Sequence, residues 1–190
     1  MGQGVEGTAG SHEASKTAAP KAEGIVIETE RLILRKFVPD DFSALAAVIG
    51  DPETMSFYDA PFDSDGVKLW IHRNIERYSL DGYGLWAMAL KSSGEVIGDC
   101  GCVNQAIEDR TELEIGYHVR RDLWKKGYAT EAALACMKYA FTSLGANRVI
   151  SMIRPENLAS RRVAEKNGLM CEKIVFWRGY DHCIYAKSRS

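Results

Sequence analysis

Between residues 85 and 119 the chain passes through three strand-like runs, "LWAMAL", "EVIGDCGCVNQ" and "ELEIGYHV", separated only by short polar connections such as "KSSG". Connections this short cannot hold the crossover that parallel neighbours require, so the three runs form an antiparallel meander. Around the meander the periodicity alternates. Upstream, "IVIETERLILRKF" is strand-like, "PDDFSALAAVIG" is a short helix opened by Asp40 or Asp41 and closed by Gly50, and "SDGVKLWIHRNIERYSLDGYG" is a helix with Ser64 as its candidate cap. Val67, Trp70, Ile71, Ile75 and Tyr78 form its apolar stripe. Downstream come a helix from about Gly127 to Ser143, a strand "RVISMI", a shorter helix in "PENLASRRVAEKNG" and a closing hairpin, "LMCEKIVFW" and "HCIYAK" around "RGYD". The order β-α-α-β-β-β-α-β-α-β-β predicts a mixed α/β fold, with helices covering a mainly antiparallel sheet.

Residues 1–24 are dominated by Gly, Ala, Ser and Thr and have too few hydrophobes to offset ordering entropy, so they are expected to form a disordered tail ahead of a single domain over 25–190. A formal net charge of -2 gives no global basic field, which argues against nucleic acid and anionic membranes as partners. Any phosphate site must be local. No apolar run reaches the length of a membrane span and the N-terminus lacks a signal-peptide pattern, so the expected location is cytoplasmic. The five cysteines, Cys100, Cys102, Cys136, Cys171 and Cys183, show no metal-ligand spacing, and no metal is expected. Cys100 and Cys102 share one strand face, where small buried hydrophobes are favoured over a reactive thiol, since no base or cation lies nearby in sequence.

One helix begins unusually. In "DLWKKGYATEAALACMKYAF" two lysines and a glycine stand where stability would favour a carboxylate cap. A helix N-terminus has free amides and the positive end of a dipole, so it binds anions through the backbone. A diphosphate over residues 125–130 would explain the pattern: Gly127 and Ala129 admit the backbone, Lys125 and Lys126 screen charge, Thr130 offers a hydroxyl, and the anion serves as the cap. The alternative is a solvated helix start with two surface lysines. Neither G-x-x-x-x-G-K-[ST] nor G-x-G-x-x-G is present.

Four stretches in order, "TERLILRKFVPDDFSAL", "GEVIGDCG", "ELEIGYHVRRDLWKKGYATEA" and "PENLASRRVAEKNGL", resemble the GNAT acetyltransferase superfamily, and within it the branch of ribosomal-protein N-terminal acetyltransferases (RimJ/RimL-like). The superfamily's Q/R-x-x-G-x-G/A loop corresponds to Trp124–Ala129, with Trp124 first, as is usual in that branch, and Lys125 where the branch often has glycine. The resemblance implies a splayed pair of parallel strands, one ending at His118 and Val119 and the other "RVISMI", with acetyl-CoA between them. It places the pantetheine arm on the Val119 backbone and the diphosphate near Arg120, Lys125, Lys126, Gly127, Tyr128, Ala129 and Thr130. It also assigns Asn157 to the cofactor arm and Ser160 to the departing thiolate; otherwise Asn157 is an ordinary helix cap.

Acetyl transfer to an amine needs a neutral nucleophile, an oxyanion stabiliser and a proton for the leaving thiolate. Glu114 lies where several superfamily members place a carboxylate that removes the amine proton through water. Glu112 has the same strand parity, and Asp99 is a third candidate base. Phe57, Tyr58, Trp70, Trp86 and Trp177 are acceptor-pocket or core residues, and Asp59, Asp63 and Asp181 are acids able to attract an amine. His118 and His182 read as strand residues rather than bases. The sequence thus predicts an acetyl-CoA-dependent N-acetyltransferase acting by direct transfer on a primary amine, with a protein N-terminal α-amine as the favoured acceptor. A small amine (a polyamine or an antibiotic-like compound) is the alternative acceptor, and a non-catalytic acyl-CoA sensor is the alternative class. The aromatic terminal hairpin is a candidate homodimer surface.

Overall fold

The computed structural model describes Met1 and residues 24–189; the expected tail, apart from Met1 and Gly24, lies outside the described residues. Eight strands form one sheet: β1 (Ile25–Glu28), β2 (Leu32–Arg35), β3 (Leu85–Leu90), β4 (Val96–Ile107), β5 (Arg110–Val119), β6 (Arg148–Ile153), β7 (Met170–Trp177) and β8 (Tyr180–Ser188). Their spatial order is β1-β2-β3-β4-β5-β6-β8-β7, and every neighbouring pair is antiparallel except β5 and β6. Four helices flank it: α1 (Phe42–Ile49), α2 (Ser64–Leu80), α3 (Tyr128–Thr142) and α4 (Leu158–Lys166).

The helices divide the core between the two faces of the sheet. On one, Leu45, Val48 and Ile49 of α1 and Val67 and Ile71 of α2 bury against Ala87, Ala89 and Val96. On the other, α3 lays Ala132, Ala133, Cys136, Met137 and Ala140 against Trp86, Cys100, Cys102 and Ile115. Small residues on α3 allow close approach to the sheet, where Cys100 and Cys136 sulfurs meet at 3.5 Å. Cys100 and Cys102 are fully buried, and burial pushes the Cys102 thiol up, so this cluster packs as small hydrophobes.

Two local expectations need correction. The run 25–37 is a hairpin, not one strand: the polar stretch Glu28–Arg31 breaks the alternation, and Thr29 closes the turn by donating its amide to the Leu32 carbonyl at 3.0 Å. The cap of α2 is Asp63, whose carboxylate accepts from the Gly66 amide at 2.8 Å; Ser64 is the first helical residue.

Candidate active site

The parallel ladder between β5 and β6 is held at a single register position, Glu114 opposite Ile150. Beyond it side chains take over. Glu114 reaches across and accepts from the Met152 amide at 3.3 Å, and Ser151 Oγ donates to the Ile115 carbonyl at 2.9 Å. The Arg120 amide donates to the Ile97 carbonyl on β4 at 2.8 Å, so strand alternation turns the Val119 amide and carbonyl to the opposite edge, toward the cleft. The Val119 carbonyl is taken by Trp124 Nε1–H at 2.7 Å, leaving the amide as the group facing the cleft. Glu114 is half-buried at the head of this cleft with no cation bonded to it among the described residues, and burial pushes its carboxyl up, against the bonds from Gln105 and Met152. A carboxyl shifted upward holds a proton more readily than an ordinary carboxylate, which suits a base.

The start of α3 opens onto the same region. Gly127 caps the helix at φ 87°, in the left-handed region, with no side-chain cap; Lys125 takes φ 62°, a backbone that glycine adopts without penalty. Among the described residues, the amides of Gly127 to Thr130 have no protein acceptor. The loop is held from behind by residues the sequence reading assigned no role. Arg31, in the β1–β2 turn, donates through Nη1 to the Lys126 carbonyl at 3.0 Å and lies 4.5 Å over the Tyr128 ring. Glu131 accepts from Arg31 Nε at 2.7 Å, the Arg31 amide at 2.9 Å and the Thr29 hydroxyl at 2.6 Å. These partners are about a hundred residues apart in sequence, so no local pattern joins them.

Residues 31–170 match the family model of the acetyltransferase (GNAT) domain. The chain belongs to the GNAT acetyltransferase family. YkkB of Bacillus subtilis is 37% identical, covering 77% of this chain and 86% of that protein, and the N-acetyltransferase p20 of Bacillus licheniformis is 34% identical, covering 80% and 85%. The GNAT acetyltransferase structure from Bacillus anthracis superposes with a TM-score of 0.73 at 27% identity, covering 85% of this chain and 97% of that one. RimL, a ribosomal L7/L12 α-N-protein acetyltransferase solved with coenzyme A, has a TM-score of 0.68 at 20% identity, covering 86% and 97%, and shares the fold. This GNAT chain is an N-acetyltransferase. Its residues fit an acyl-CoA: free amides and a glycine at the α3 N-terminus suit a diphosphate, and the cleft-facing Val119 amide suits the amide-rich arm.

Other expected site residues are placed as follows. Asn157 caps α4, its side chain accepting from the Ser160 amide at 3.0 Å. Ser160 is half-buried, and Tyr117 crosses from β5 to donate to its carbonyl at 3.1 Å. Lys125 and Lys126 are exposed, and Ala129 and Thr130 lie in the first turn of α3. Arg120 is paired with Asp122 at 2.7 Å and with Glu95, and Arg121 with Glu53 at 2.6 Å, so neither guanidinium is free at the loop. Glu112 is bound by Arg110 at 2.7 Å and Arg148 at 3.3 Å, and Asp99 is fully buried with both oxygens bonded, so neither competes with Glu114 as an open base. Trp86 is core.

His118 requires a correction, because neither its backbone nor its ring serves the cofactor edge. Its carbonyl points to β4, where a Cβ on Gly98 would come within 2.0 Å of it. Its ring lies on the other face of the sheet, bonded through Nδ1 to Asp99 at 2.8 Å and through Nε2 to the Tyr58 hydroxyl at 2.7 Å. That ring shares a strand face with Glu114, with only Gly116 between them and Gly101 opposite on β4. The Asp99–His118 contact could not be read from sequence because two antiparallel strands had to be put in register before Asp99 could be seen beside His118.

Proposed function

We propose that this chain transfers an acetyl group from acetyl-CoA directly to a primary amine, with a protein N-terminal α-amine as the acceptor. The observation supporting transfer is the juxtaposition of an uncapped helix N-terminus, a strand cleft with a free edge and a carboxylate at its head lacking a cation. Acetyl-CoA would supply the activated acetyl group. The amides of Gly127 to Thr130 hold the diphosphate, with the exposed Lys125 and Lys126 adding screened charge, and the Val119 amide fixes the arm along β5. Glu114 takes a proton from the amine as its nitrogen becomes bonded to carbon. Ser160 offers its hydroxyl to the departing sulfur from the first turn of α4.

The α-amine reading is supported by the fold shared with RimL, a protein α-N-acetyltransferase by name, and by the exposed Tyr58, whose partner His118 shares a strand face with Glu114. Arg154 ties the loop of Phe57 and Tyr58 to the terminal hairpin, donating to the Phe57 carbonyl at 3.5 Å and lying 3.9 Å over the Tyr180 ring. The test is an acceptor screen followed by free-thiol release, comparing peptides of varied first residue with polyamines and aminoglycosides. Peptide acetylation at the α-amine is expected; transfer confined to small amines would reassign the acceptor, and acetyl-CoA binding with no transfer would favour a sensor.

A further inference from the structure

On the face of β5 away from α3, four side chains form an unbroken hydrogen-bonded chain that the mechanism above does not use. Trp70 Nε1–H on α2 donates to Asp99 Oδ2 at 2.8 Å, Asp99 Oδ1 meets His118 Nδ1 at 2.8 Å, and His118 Nε2 meets the Tyr58 hydroxyl at 2.7 Å. In the neutral ring the carboxylate partner sets the direction. An ionised carboxylate only accepts, so Nδ1 of a neutral His118 has the hydrogen, Nε2 is the acceptor, and Tyr58 donates its O–H to it. The Tyr58 oxygen keeps its lone pairs for whatever lies outside. Asp99 is fully buried, whereas Tyr58 is about half exposed, so the chain runs from an interior anion to the acceptor face.

We propose that Tyr58, His118 and Asp99 form a proton relay that takes the first proton from the incoming ammonium, leaving the second to Glu114. The inference rests on the acetyltransferase reading. A protonated amine has no lone pair for attack, and an α-amine, with a pKa of about 8, arrives mostly protonated at neutral pH. The ammonium gives its proton to the Tyr58 oxygen as the Tyr58 hydroxyl proton passes to His118 Nε2. The products are a neutral amine, an unchanged phenol and an imidazolium facing the Asp99 carboxylate, and the imidazolium later returns the proton to water. No electrons move other than in these O–H and N–H bonds. Tyr58 is the group that meets the amine; His118 and Asp99 act through it.

The surroundings suit this direction. The half-exposed Tyr58 is a phenol that keeps its proton at neutral pH and so can donate to a neutral His118. Around the imidazole, β4 presents Asp99, β5 presents Glu114, the 51–63 loop presents Tyr58 and α2 presents the uncharged Trp70, edge-on at 5.5 Å; Arg154, after β6, holds the loop rather than the ring. With Gly116 and Gly101 between Glu114 and His118, no side chain separates the two proton acceptors along the strand face.

Two measurements test the relay. Nitrogen-15 spectra of the ligand-free protein at pH 8 should show His118 as the Nδ1–H tautomer, reversed in Asp99→Asn; an Nε2–H ring or a tautomeric average in wild type overturns the relay whatever the kinetics show. Turnover is then compared for wild type and Tyr58→Phe, which keeps the ring and its packing. At pH 6.5 only a few per cent of an α-amine with pKa about 8 is neutral, so kcat/KM of the variant should fall about 30-fold, recover by pH 9.5, and be close to wild type at all pH values for a weakly basic amine such as trifluoroethylamine. A structural defect would depress both acceptors equally and would overturn the proposal, as would unchanged turnover at pH 6.5. Absence of transfer by wild type would instead bring down the acetyltransferase reading.

Discussion

Replacing Glu131 by glutamine separates the anchoring of the proposed diphosphate loop from the loop itself. All partners of the carboxylate are donors: the Thr29 hydroxyl at 2.6 Å, the Arg31 amide at 2.9 Å, Arg31 Nε at 2.7 Å and Arg31 Nη2 at 2.6 Å. A glutamine has one accepting oxygen, so whichever way its amide is turned, its NH2 faces donors and at least one bond is lost. A hydrogen bond to a charged group contributes about 1.5–3 kcal/mol. The ion pair adds under about 1 kcal/mol, because the Arg31 side chain is 42% exposed and screened. The expected loss is about 2–3 kcal/mol, or a fall in Tm of roughly 4–12 °C at about 2–4 °C per kcal/mol for a chain of this size.

The pH dependence gives this prediction a sign that simple misfolding would not mimic. Burial pushes the Glu131 carboxyl up, but the Thr29 hydroxyl and Arg31 together outweigh it and hold it below its ordinary value of 4.5. The native state therefore binds fewer protons here than the unfolded chain, and the contribution is complete above the unfolded value and lost as pH falls through the folded one. Thermal unfolding of wild type and Glu131→Gln should show a constant gap from pH 8 to about pH 5 that closes below about pH 4. Glu76→Gln, in an exposed pair with His72, is the control and should shift Tm little. Calorimetry should also show acetyl-CoA binding weakened about 3- to 10-fold, since Arg31 no longer holds the Lys126 carbonyl and loop ordering falls to the binding step. A Tm equal to wild type at pH 7, or a gap unchanged at pH 3, would refute the reasoning.

Gly127→Val should abolish acetyl-CoA binding by calorimetry, because a β-branched residue cannot hold φ 87° and its Cβ would lie 3.3 Å from Arg31 Nη2, whereas Lys125→Ala should weaken binding by only about 1 kcal/mol; unchanged affinity in the valine variant sinks the loop assignment. Glu114→Gln should lower turnover most at neutral pH, with partial recovery as the amine deprotonates in solution. The same variant should outlast wild type in thermal unfolding above neutral pH, since a carboxyl raised by burial destabilises the fold once pH exceeds its folded value; a less stable variant there contradicts the burial argument. Ser160→Ala should lose about 10- to 100-fold in turnover by a factor constant with pH, and a deficit that vanishes at high pH would remove the serine from the leaving group.

The helices and the uncapped start of α3 were legible because their signals are local: periodic apolar residues, stop glycines, and a helix start without a cap. Gly127 stood out from that local pattern, whereas Trp124 entered only through the resemblance to the family's loop. The β1–β2 break was hidden because a hairpin turn built from Thr29, Glu30 and Arg31 lacks the glycine or asparagine that marks most tight turns. The Asp99–His118 pair was hidden for another reason: nineteen residues separate them, and their contact exists only in the β4–β5 register. Arg31 and Glu131 were hidden by distance, since a sheet must form before the first turn of the chain can lie behind the start of α3. Single residue types suggested chemistry, but pairs across strands determined which of them is free to perform it.

That distinction also locates the site on physical grounds. Among the described residues, three non-glycine residues adopt positive φ: Glu108, Arg178 and Lys125. The first two sit in the two-residue β4–β5 and β7–β8 turns, where hairpin geometry demands that backbone. Lys125 is in no hairpin. It precedes Gly127, four amides without acceptors follow from Gly127 onward, and the one open base candidate of β5 lies across the cleft without a cation. Elsewhere comparable groups are matched: Glu112 meets two arginines, Asp41 meets Arg35 at 2.6 Å, and Asp99 spends both oxygens. Strained backbone, unmet donors and an uncompensated carboxylate each cost stability, and a chain that pairs these other carboxylates with cations or donors concentrates those costs where a ligand would offset them. On the proposed function, a diphosphate would meet the free amides and an amine the uncompensated carboxylate.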